Sequence, residues 1–141
     1  MKYTIGILIL TLLLSWSNPT NKDYKLQKQE TSRIDAGRKL FYSNCASCHA
    51  VFKNLTGPAL VGAERRITKE MYYAIVANPP LAIKKYSYFK KQLEEWQVLM
   101  SAFPGLKRED VDYIIEFVKA AEKNPKLNFN PNPVKKSNPK T

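Results

Sequence analysis

The residues best suited to chemistry lie together in the stretch "NCASCH", residues 44–49. Cys45 and Cys48 are the only two cysteines in the chain, and His49 is its only histidine. Cys-x-x-Cys has several uses. A structural disulfide suits an exported protein. A redox dithiol of the thioredoxin kind wants a strand–helix–strand setting, and no run of alternating strand character occurs here. A tetrahedral zinc site wants four ligands, commonly completed by a second Cys or His pair. This chain has no such pair.

The histidine directly after the second cysteine points to a fourth use. Cys-x-x-Cys-His is the attachment sequence for c-type haem. Cysteines three apart on a helical turn can each form a thioether to one edge of a porphyrin. The next residue then brings its imidazole under the iron. On this reading Cys45 and Cys48 anchor one covalently bound haem c, and His49 is the proximal ligand.

The elements that must position this stretch read as helices, so the fold class is all-α. A first helix is expected from Ser32, with Asp35 placed to reach back to its start as in a capping box. Ile34, Gly37, Phe41, Cys45 and Cys48 follow at spacings of three and four, one face of a helix. Glycine costs a helix about 1 kcal/mol relative to alanine. One inside an apolar stripe predicts close approach of another element. Further helices are expected over residues 68–77, stopping before Asn78-Pro79-Pro80, over 83–99, and over 107–121. In the last, Val111, Ile114, Ile115 and Val118 face inward, and Glu109 and Asp110 complement the helix dipole in the first turn.

The 141-residue chain fits one domain with appendages. Residues 1–17 pair one early lysine with a short apolar run. That run is too short for a membrane span and suited to a signal peptide, or to an N-terminal anchor if it is not cleaved. Residues 18–31 read as a flexible polar linker, residues 32–122 as the domain. Residues 123–141 hold four of the nine prolines and read as a basic Pro/Asn/Lys-rich disordered tail. The net charge of +11 favours anionic partners. Export places the domain in the periplasm or an equivalent compartment, tethered to the membrane through its N-terminus if that segment is not cleaved, so nucleic acid is not an expected partner.

In three features, in order, the chain resembles the small class I c-type cytochromes over about residues 34–121. "GRKLFYSNCASCHA" has the glycine and aromatic, Gly37 and Phe41, that precede the haem motif in the family. The resemblance implies that the C-terminal helix crosses at Gly37, with Phe117 as the matching aromatic and Tyr113 as the weaker match. "TGPALVG" resembles the family's Gly-Pro turn. There Pro58 would accept the Nδ1–H of His49, and Leu60 would pack on the haem. "MSAFPGLKREDVDYIIEFV" resembles the loop that carries the axial methionine before the last helix, which implies Met100 as sixth ligand. Met71 falls inside an expected helix. Ser101 stands where the family pattern often has proline. Arg65 and Arg66 are candidate partners for haem propionates. Tyr72, Tyr73, Tyr86, Tyr88, Phe89 and Trp96 form an aromatic segment, part of which should shield the haem.

The resemblance implies a cytochrome c fold of about four helices around one haem. The implied function is a monomeric carrier of electrons by Fe(III)/Fe(II) cycling, not a catalyst. Its implied partners are redox proteins with acidic docking faces: a membrane donor and a terminal oxidase or reductase. The rival readings are a peroxidase-like haem catalyst and a fixed haem subunit or sensor of a respiratory complex.

Overall fold

The structure, a computed structural model, describes residues 21–130. The expected signal or anchor at residues 1–17 lies outside that range. Among the described residues there are five α-helices, two short 3-10 turns and no strand. The helices are α1 (Asn21–Asn44), α2 (Lys69–Ala77), α3 (Pro79–Lys85), α4 (Ser87–Trp96) and α5 (Arg108–Lys123). The described residues divide into two units, residues 21–30 and 31–130.

The linker expectation is corrected here, because residues 21–31 are helical. Lys, Gln, Glu and Leu are good helix formers, and neither Gly nor Pro interrupts residues 21–36. Helicity does not need a buried face. Asp35 therefore caps nothing, and instead takes the Arg38 guanidinium at 2.8 Å.

The core forms where α1 meets α5. Phe41, Val51, Ile114, Phe117, Val118 and Ala121 are buried together. The rings of Phe41 and Phe117 lie 5.4 Å apart at a 45° tilt. Gly37 faces the backbone of α5, where a Cβ would collide with the Tyr113 carbonyl. The close approach read from the mid-helix glycine is thus at Tyr113, and the aromatic packing is through Phe117. Gly37→Ala is expected to cost about 1–3 kcal/mol as the two helices are forced apart, measured by denaturant unfolding of the holoprotein. Unchanged stability would mean that the helices do not cross at this point.

α2 begins as its sequence suggests, with the Thr68 hydroxyl accepting from the Met71 N–H. It is pinned to α5 through Asp112, which receives the Tyr73 hydroxyl at 2.7 Å and the Lys69 ammonium at 2.9 Å. Partial burial alone would raise the Asp112 carboxyl, but these two donors outweigh it and hold it below its ordinary value.

The single helix expected over 83–99 is corrected to two, α3 and α4. Asn78 ends α2 and also starts α3, its side chain accepting from the Leu81 N–H at 3.1 Å with Pro79 in the first turn. Asn-Pro-Pro is therefore a start signal as well as a stop. Tyr86 breaks the run with extended backbone. Its ring meets the edge of Phe89 at 5.9 Å and the Lys85 ammonium at 5.1 Å. α4 ends on Gln97 in the left-handed region, φ 52°.

The tail expectation is corrected for its first residues. α5 continues to Lys123, and Asn124 caps a short turn over Pro125–Leu127. Asn128 then accepts from the Tyr42 hydroxyl at 3.1 Å, and Phe129 lies under the Arg38 guanidinium at 4.1 Å. Residues 131–141 lie outside the described range.

Candidate haem site

α1 ends at Asn44, whose side-chain amide donates to the Leu40 carbonyl at 2.8 Å. The backbone stays helical for one more turn. The Cys45 N–H donates to Phe41 at 2.8 Å, and the His49 N–H donates to Cys45 at 2.9 Å. Both thiols of the motif thus sit on one turn, and both are free. Cys48 is exposed. Cys45 is half-buried, and burial pushes its thiol up to about 11. A thiol so hard to ionise is poorly suited to dithiol redox chemistry, where the attacking cysteine has a lowered pKa.

The His49 ring is fixed by its Nδ1, which lies 2.9 Å from the Pro58 carbonyl oxygen. A carbonyl can only accept, so the proton must be on Nδ1 and the Nε2 lone pair is left for a ligand. Gly57 makes room for the ring, since a Cβ there would stand 2.5 Å from His49 Cε1. The loop is braced on both sides of the ring. The Gly57 N–H donates to Cys48 at 2.8 Å, and the Val61 N–H donates to Val51 at 2.8 Å.

These residues open into a cavity of about 230 Å³. Cys45, Cys48, His49, Pro58, Leu60 and Met100 all line it. Its walls are mainly apolar, with Ile75, Val76 and Ile83 on one side and Phe89, Leu93 and Trp96 from α4. Among the described residues Met100 is the one methionine in the lining, and Met71 is absent from it. The Met100 loop is tied down just beyond Ser101. The Phe103 N–H donates to Val76 of α2 at 2.8 Å, and the Leu106 N–H closes a turn on Phe103 at 3.1 Å. These bonds hold the loop without a proline at position 101.

The two candidate arginines separate. Arg65 points to Glu64 and Glu122, at 3.1 and 2.8 Å, and does not line the cavity. Arg66 does line it, the one Arg or Lys among the described residues to do so. Its guanidinium donates to the Val61 and Ala59 carbonyls and to the Tyr88 hydroxyl. The aromatic segment divides as well. Tyr72, Tyr88, Phe89 and Trp96 face the cavity, whereas Tyr73 serves Asp112. Burial holds the Tyr72 phenol well above its ordinary value; Glu64 adds to the rise and Arg66 opposes it. Sequence spacing does not separate these rings, because helix breaks at Asn78 and Tyr86 set their directions.

The model of the cytochrome c family matches residues 34–122. The chain belongs to the cytochrome c family. Among solved structures it is similar to a cytochrome c from Rhodothermus marinus, with 23% identity and a TM-score of 0.61 over 67% of this chain and 80% of that one. An engineered cytochrome c from the same organism, bound to a carbene intermediate, matches at 24% identity and a TM-score of 0.58 over 67% and 80% of the two chains. At such identities the likeness concerns the fold. No curated protein matches the chain.

Membership of the cytochrome c family implies a haem c, and the residues present fit one. Gly57 leaves the His49 ring room that a side chain would fill, and the ring keeps an unshared Nε2 lone pair. Two free thiols stand on the adjoining turn. The apolar wall suits the macrocycle, and Arg66 places a cation in that wall.

Proposed function

We propose that the protein carries single electrons, with one haem c attached through Cys45 and Cys48 and held between His49 Nε2 and Met100 Sγ. The observation that carries this reading is that one cavity gathers both cysteines, the histidine and one methionine. When bound, the haem supplies an Fe(III)/Fe(II) couple.

The chain's own residues do the rest. Pro58 fixes the His49 tautomer and orientation. The Met100 thioether, a soft donor, favours the reduced iron. The aliphatic and aromatic walls exclude water and lower the local dielectric, which also favours the less charged state. Arg66, steadied by Tyr88, is placed to take a haem carboxylate. If His49 and Met100 both held the iron, no coordination position would be left open, which would suit electron transfer better than oxygen or peroxide chemistry.

The net charge of +11, with Lys53, Lys84, Lys85, Lys90 and Lys91 exposed, supports weak, salt-dependent docking on acidic faces of redox partners. No helix among the described residues is long and apolar enough to cross a membrane. The proposed carrier is a monomer working outside the cytoplasmic membrane.

Carbon monoxide tests the closed site. The reduced holoprotein is expected to keep its optical spectrum under the gas. Ready binding would overturn the His/Met reading and favour a peroxidase-like centre.

A further inference from the structure

The proximal histidine does not end its hydrogen bonding at Pro58. The carbonyl that receives His49 Nδ1 and the N–H of Ala59 belong to one planar peptide group. That N–H is itself bound, donating to the Asn54 side-chain oxygen at 2.9 Å. The same peptide group thus accepts from the imidazole at one end and donates to an amide at the other. Hydrogen bonds in such a chain polarise one another, strengthening each by about 10–30%. On the far side of Ala59, its carbonyl is held by Arg66 at 3.2 Å, so the segment has little freedom to swing.

We propose that Asn54 is a positioning residue for His49, acting through the Pro58–Ala59 peptide group. By accepting the Ala59 N–H, Asn54 makes the Pro58 oxygen more negative. The Nδ1–H of His49 is then held more firmly, and the ring donates more electron density from Nε2. A more basic ligand favours the oxidised iron. Asn54 therefore works against Met100 in setting the balance between the two oxidation states. Its side chain is exposed and outside the cavity wall, so it acts without touching the haem. The inference rests on His49 being an axial ligand.

The test compares the parent holoprotein with Asn54→Ala and Asn54→Asp, by midpoint potential and by proton magnetic resonance of the His49 Nδ1–H. Asn54→Ala is expected to raise the potential and to speed exchange of that proton at least about twofold, since the bond it opens is weakened. Asn54→Asp keeps an acceptor and is expected to exchange no faster than the parent. An unchanged potential and exchange rate in Asn54→Ala would overturn the proposal. So would equal acceleration in both variants, which is the mark of a mere loop brace. If the parent's His49 resonances lack the large shifts imposed by a bound iron, the ligand assignment itself fails, and the proposal falls with it by a separately recognisable result.

Discussion

Replacing Cys45 and Cys48 together by alanine is expected to abolish covalent haem: the denatured variant should release whatever haem it collects. The two thiols stand on one helical turn at the cavity edge, with Cys45 half-buried and Cys48 exposed. No other thiol exists in the chain to replace them. Stability is expected to fall as well. An unfilled apolar cleft loses the contacts that its lining would make with the macrocycle, and a small domain has only about 5–15 kcal/mol of stability in all. Haem staining of the denatured variant and a denaturant melt of the same preparation measure the two effects. Haem that stays with the denatured double variant would refute the attachment.

Met100→Ala is the second large effect. The variant is expected to keep its covalent haem, lose the far-red sulfur–iron band, and bind carbon monoxide when reduced. Its midpoint potential should fall by something on the order of 100 mV, within the roughly 0.8 V that axial ligands span. The direction follows from removing a soft donor that favours the reduced iron. Overall folding should survive, because the Met100 loop is held at Phe103 and Leu106 rather than by the methionine itself. An unchanged far-red band would point to Met71. That residue is outside the cavity lining, so its use would require α2 to rearrange.

How legible the protein was in its sequence depends on the distance over which each feature is determined. Features set within a few residues were readable. The start of α2 and the inward stripe of α5 lie where the sequence places them. Gly37 signalled a close crossing, because a glycine in an apolar stripe has few other uses, and the crossing is at Tyr113. The helical reach of residues 21–31 is hidden in the sequence, because a polar run with strong helix formers looks the same as a linker when no apolar face is needed. The break at Tyr86 is hidden because the apolar spacing continues through it, and only packing against Phe89 marks it. The order of residues 124–129 is hidden because Asn128 and Phe129 find their partners on α1, far away in sequence.

The candidate site follows the same division. One pentapeptide marks Cys45, Cys48 and His49 as candidates, and family order marks Pro58, Leu60 and Met100. All six line one cavity. Arg66 and Arg65 could not be told apart from sequence, since adjacent residues differ only in which way they leave the backbone. Asn54 gave no signal at all. Its bond to Ala59 crosses a turn, and its importance depends on the other end of the same peptide group being bound to His49.

Covalent attachment of one haem to Cys45 and Cys48 is tested by the intact mass of the purified protein, denatured and treated with a thiol-alkylating reagent. The expected mass is the polypeptide plus one haem, with no alkylated cysteine. A mass of polypeptide alone, carrying two alkylated thiols, would contradict it.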